Sequence, residues 1–138
     1  MGSDTTTRKE DINVTSTKKY WRLYADDAGE SHFEEVETKL TPVVYAPPAP
    51  PLDISDPTEA ARYIMLRFPP GWADDAHPSP RRQLCVFLSG ELEGTTSDGT
   101  AVTFTPGDCV LMEDTYGKGH GARVIGTGDA TAILVHLE

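Results

Sequence analysis

Two stretches of this chain gather residue types that hold metal ions or move protons: Ala76–Gly90, AHPSPRRQLCVFLSG, and Thr105–His120, TPGDCVLMEDTYGKGH. Between them they carry His77 and His120, two of the four histidines. An imidazole ligates metals and exchanges a proton near neutral pH, so this pair leads the candidates. Glu113 and Asp114 stand just before His120, placed to orient its ring or to act as a general base. Lys118, between two glycines, supplies a cation for an anionic substrate. Arg81 and Arg82 have opposite parity, so at most one points inward, toward a substrate carboxylate or toward Asp74 or Asp75.

These side chains need strands to position them. Gln83, Cys85 and Phe87 share one parity and Leu84, Val86 and Leu88 the other, so a strand here is apolar on both faces and calls for burial on both. Gly90 ends the run, and Ser97-Asp98-Gly99 opens a hairpin turn before a short strand, Ala101 to Phe104. Pro106-Gly107-Asp108 then feeds a strand from Cys109 to about Glu113. Closely spaced strands and turns of this kind imply an antiparallel sandwich or small barrel.

The residues resemble the cupin superfamily, whose jelly-roll barrels carry a His-x-His, Glu, Gly motif and a later Pro-Gly-Asp turn leading to another His. His77 matches the first His, Gly90 the glycine, and Pro106-Gly107-Asp108 with His120 the second motif. Ser79 stands in place of the second His, Gln83 in place of the Glu, and the loop before His120 is longer than usual. The resemblance spans Arg62 to Glu138. It implies an all-β double-stranded β-helix with an N-terminal β extension. It also implies a metal set of His77, Gln83 and His120 for Fe, Mn, Ni or Zn, with an amide and a hydroxyl weaker than the donors they replace.

With 138 residues the chain fits one domain and buries enough surface to fold without a metal or disulfide staple. A formal net charge of −10 disfavours nucleic acid and anionic membranes as partners. Cys85 and Cys109 both fall in apolar strand candidates, and no secretory segment or long apolar span is present, which points to a cytoplasmic protein with reduced thiols.

Residues 1–19 read as a polar, mobile arm, and 20–138 as the barrel domain. Tyr20 to Tyr24 and Ser31 to Val36 form a hairpin expected to lie across the outer face of the barrel. Leu40 to Tyr45 adds an extended piece, and the proline run Ala46 to Pro51 reads as a rigid polyproline segment crossing the barrel surface. Pro57 to Ala61 allows one helical turn, Tyr63 to Phe68 a strand, and Gly121 to Ile125 and Ala132 to Leu137 the last two strands.

The reaction expected from the resemblance is metal-dependent chemistry of dioxygenase, isomerase or lyase type on a small organic substrate, an anionic one included. Two alternatives stand beside it: a metal-free isomerase or dehydratase using His120 with Asp114 or Glu113, and a binding or sensing module without chemistry. His32 restores a third imidazole if its strand reaches the barrel mouth, though a surface position suits it better; His136, in step with Leu134 and Ala132, points inside the barrel or, as suits it better, is a hydrogen-bonded core residue. Apolar outward parities on two strands lead us to expect a homodimer.

Overall fold

The computed structural model describes residues 16–138, and the described residues contain ten β-strands and no helix. The strands are β1 Ser16–Ala25, β2 Ser31–Val43, β3 Leu52–Ile54, β4 Arg62–Phe68, β5 Gln83–Ser89, β6 Leu92–Thr96, β7 Ala101–Phe104, β8 Cys109–Met112, β9 His120–Val124 and β10 Ala130–His136. Two compact units are present, one of residues 20–36 and 58–138, the other containing 16–19 and 37–57. The sequence boundary at Lys19 falls inside β1, and the rest of the expected arm lies outside the described residues.

The larger unit is a double-stranded β-helix of two sheets. One runs in the order β2-β1-β8-β5-β10-β4 and the other β7-β6-β9. Alternation along β5 sends Gln83, Cys85 and Phe87 inward, where all three are buried, and leaves Leu84 and Val86 half-buried and Leu88 exposed on the outside. The expectation of burial on both faces is therefore met on one only. Phe87 of β5 stacks on Phe104 of β7 with ring centroids 4.8 Å apart, which locks the two sheets together, and Phe33 meets Phe104 edge-on at 5.8 Å. The expected strand from Ala101 to Phe104 is β7; its partner β6, polar in sequence, was implied only by the turn between them.

The N-terminal hairpin does not lie across the outer face. β1 joins the sheet edge by pairing parallel to β8, with Trp21 opposite Val110 and Leu23 opposite Met112. That pairing turns Leu23 into the interior, where it is 2% exposed. The physical reason is the open edge of β8: unpaired backbone groups there gain hydrogen bonds from an added strand that a hairpin laid on the face would not supply.

In the smaller unit β2 pairs antiparallel with β3, Thr41 opposite Ile54, so Leu40 to Val43 continues β2 instead of forming a separate piece. The proline run between these strands is a turn, with Ala49 N–H donating to the Ala46 carbonyl at 2.8 Å and a cis Pro47–Pro48 bond, not an extended polyproline spacer. Closure of the β2–β3 hairpin demands a reversal there. Nor does Pro57 to Ala61 form a helical turn.

Cys85 and Cys109 sit on adjacent antiparallel strands but face opposite sides, Cys85 opposite Val110 and Val86 opposite Cys109, so no disulfide joins them. Burial, helped by nearby Cys109, pushes the Cys85 thiol up to about 12, which makes it an inert part of the core.

Candidate functional site

The two sheets enclose a cavity of about 210 Å³. Its wall is apolar, including Leu23, Phe33, Phe68, Trp72 and Phe104, and its polar side chains are Asp74, His77, Gln83 and His120. Three of these come from the two stretches that carry the chemistry in sequence. His77 lies in the loop before β5, Gln83 opens β5, and His120 opens β9.

Backbone pairing brings the two imidazoles together. His77 and His120 exchange both main-chain hydrogen bonds, each at 3.0 Å, as an isolated antiparallel bridge. Their ring centroids are 5.2 Å apart. Gly119 makes this approach possible, because with φ of 73° it occupies a left-handed conformation and a Cβ there would collide with the His77 carbonyl.

The two rings are held differently. Asp114, fully buried, takes a hydrogen bond from Ser79 Oγ at 2.7 Å through Oδ1 and pairs with His120 Nδ1 at 2.6 Å through Oδ2. A carboxylate only accepts, so the Asp114 contact places a proton on His120 Nδ1, and the neutral form of the ring then presents its lone pair at Nε2. Among the described residues no hydrogen bond reaches that atom. Since no fully buried side-chain nitrogen or oxygen among the described residues lacks a partner, Nε2 opens onto accessible space. Gln83 is 5% exposed and donates its amide N–H to Met112 Sδ at 3.7 Å, which leaves its Oε1 unpartnered as well.

His77 has no such lone pair to offer. Nδ1 faces the Pro78 carbonyl at 2.9 Å and Nε2 faces Asp74 Oδ2 at 2.8 Å, both acceptors. Satisfying both needs a doubly protonated ring, and the Pro78 carbonyl, then Asp74, raise the His77 pKa above its ordinary value against the opposing effect of burial. Asp74 is fixed in turn by Ala122 N–H, 2.8 Å from Oδ1.

The other sequence candidates do not reach the cavity. Glu113 does not pair with His120: it bridges Arg22 and Arg82, each at 2.6 Å. Burial pushes its carboxyl up, but the two guanidinium partners outweigh burial and hold it below the usual range. Just past the end of β8, Glu113 turns to the two arginines and Asp114 to Ser79 and His120. The same pair takes Arg82 out of the site, and Arg81 reaches the Glu138 carbonyl at 3.5 Å, so neither arginine points inward. Lys118 is tied to Glu30 at 3.1 Å, its backbone N–H to the Gly29 carbonyl at 2.8 Å. His32 sits between Asp26 and Asp98 at 2.7 and 2.9 Å, away from the cavity wall. His136 accepts from Arg62 Nε at 3.0 Å.

Ser79, which the motif places at a ligand position, instead holds Asp114. Leu23, Phe33 and Trp72 of the wall were not among the sequence candidates; the apolar positions of the first hairpin were the available signal for Leu23 and Phe33.

As a metal centre the set does not fit. Among the described residues no three of His, Cys, Asp and Glu converge, and both nitrogens of His77 are committed to acceptors, leaving only His120 Nε2 and Gln83 Oε1 as open donors. Two neutral donors, one of them an amide, make a poor site for a divalent ion.

The larger unit's two sheets, closed around an apolar cavity with a His-bearing mouth, identify the architecture. The fold is cupin-like. No protein-family model and no curated protein matches the chain. Solved structures similar to this cupin-like chain include protein NMB1881 of Neisseria meningitidis, 11% identical, covering 100% of both chains with a TM-score of 0.41. The Cnp3 cupin domain of Schizosaccharomyces pombe is 12% identical over 90% of this chain and 84% of that one, with a TM-score of 0.46. The CENP-C cupin domain of Drosophila melanogaster is 14% identical over 98% and 83%, with a TM-score of 0.43.

Proposed function

We propose that this cupin-like domain takes up a small organic molecule in its barrel cavity and that His120 accepts a proton from it without a metal ion, as an isomerase or dehydratase would require. The observation that carries this reading is the buried Ser79–Asp114–His120 chain, which fixes one tautomer and turns a lone pair toward the cavity. His77 stands beside it as a second imidazole, its charge balanced by Asp74. The metal-dependent alternative needs His77 to give up one of its two present hydrogen bonds, with the proton on that nitrogen.

Long-range proton–nitrogen NMR on the whole chain tests the assignment. The neutral form of His120 is expected as the Nδ1–H tautomer, and His77 is expected to hold its second proton to a higher pH than an ordinary histidine. A His120 protonated on Nε2 overturns the reading. So does elemental analysis finding one equivalent of metal that is lost in His120→Ala.

The assembly we propose is a homodimer through the outer face of the larger sheet. There Val86 pairs with Ile133, Leu84 with Val135, and Met65 with Ile133 across neighbouring strands, and Met65 and Tyr63 are well exposed. Light scattering that gives 15.0 kDa at micromolar concentration would rule the dimer out. No helix of the described residues is long and apolar enough to cross a membrane; a cytoplasmic location is proposed on the thiol chemistry alone.

A further inference from the structure

Resting on the reading of the cavity as a small-molecule site, the geometry points to a ligand class: an uncharged molecule about the size of one substituted ring, carrying a hydrogen-bond donor such as a phenolic or enolic hydroxyl or a ring N–H. Size comes first. An apolar cavity of about 150 Å³ is enough to hold benzene, and this one is about 210 Å³. Shape and surface agree with a flat ring, since Phe33, Phe68, Trp72, Phe87 and Phe104 all contribute to the wall.

The polar requirement follows from what the two unpartnered atoms are. Gln83 spends its N–H on Met112 and His120 spends its Nδ1–H on Asp114, so the atoms left over, Oε1 and Nε2, are both acceptors. The two residues are 5% and 8% exposed, so only water inside the cavity can reach these atoms. A ligand that brings a donor removes that deficit, and one that brings only a methyl group leaves the acceptors desolvated and unpaired. An anion is not favoured. No lysine or arginine lines the cavity, Lys118 and Arg82 are paired elsewhere, and Asp74 shares the mouth with His77.

Phenol and toluene differ by one hydroxyl for one methyl and make the test. Their affinities for the full chain, measured by NMR titration, give a phenol-to-toluene ratio that also contains their different partitioning from water. Dividing by the same ratio in Gln83→Leu cancels that contribution. The wild-type ratio is expected to exceed the variant's by about tenfold or more, the cost of leaving a buried acceptor unpaired. Gln83→Met, closer in shape, serves if the leucine variant loses its fold. Equal ratios with both ligands bound overturn the donor requirement while leaving the cavity reading intact. Benzoate binding more tightly than phenol at neutral pH also overturns it. Failure of both phenol and toluene to bind overturns the cavity reading itself and this inference with it.

Discussion

His120 and His32 each face aspartate at hydrogen-bonding distance, yet they are built for opposite ends. His120 meets one carboxylate, Asp114, with side-chain exposures of 9% and 0%. His32 lies between two, Asp26 and Asp98, with side-chain exposures from 25% to 39%. One acceptor fixes a tautomer and frees the other nitrogen; two acceptors demand a second proton and leave nothing free. The first arrangement can do chemistry, and the second is a clasp between the β1–β2 turn and the β6–β7 turn. His77, between Asp74 and the Pro78 carbonyl, follows the clasp pattern although it lines the cavity.

Removing the buried carboxylate is the most severe way to break this contrast. Asp114→Ala strands Ser79 Oγ and His120 Nδ1 inside the protein and is expected to cost about 1–3 kcal/mol for each stranded donor, read from urea denaturation. Asp114→Asn keeps the volume but cannot accept from both neighbours at once, so it should cost less and shift the His120 tautomer in NMR spectra.

Gly119→Ala attacks the pairing of the two rings instead. A methyl at φ of 73°, in collision with the His77 carbonyl, should cost at least about 1–3 kcal/mol and pull His77 from His120, which would appear as loss of the ring-to-ring nuclear Overhauser contacts.

The clasp is sharpened by pH. Hydrogen bonding to Asp26 raises the His32 pKa above 6.5, and burial opposes this while Asp98 adds to it. A raised folded-state value means stability fully present below about 6.5 and lost as pH climbs through the folded value. Urea midpoints should therefore fall as pH rises from about 6.5 through that value, with a shallower fall in His32→Gln. His77 contributes with the same sign, so His77→Gln should remove a further part. The Asp98 carboxyl, lowered to about 2 chiefly by Thr96 and further by Thr100 and His32 against opposing burial, contributes stability that disappears only as strong acid protonates it.

The smallest effect belongs to Glu113. Its pairs with Arg22 and Arg82 are partly exposed, so Glu113→Gln should cost about 1 kcal/mol or less. Phenol affinity should not change. A large change there would return Glu113 to the candidate site.

Much of the fold was legible because turns and alternation are local signals. Gly90, Asp98-Gly99 and Pro106-Gly107-Asp108 punctuate the strands where β5, β7 and β8 begin or end. The strand β6 was nearly invisible, since Glu-Leu-Glu-Gly-Thr-Thr has a polar outward face and only Leu92, Gly94 and Thr96 turn inward to burial. The proline run misled because each proline suits an extended backbone, whereas the pairing of β2 with β3 requires a turn. In the site, His77, Gln83 and His120 were legible as types at motif spacing, but hydrogen-bond partners at long sequence separation were not.

The sequence by itself determined which residues could alternate inward, where turns had to fall, and that the two candidate imidazoles would come from two separate stretches of chain. Periodicity and turn chemistry act over a few residues, so they are written in the order of the chain. Only the tertiary structure decided that Asp114 faces His120 while neighbouring Glu113 faces two arginines, that Ser79 supports a carboxylate, and that His77 has both nitrogens engaged. A histidine's chemistry depends on the count and burial of the acceptors around each ring nitrogen, and those acceptors are brought in by strand pairing across the fold.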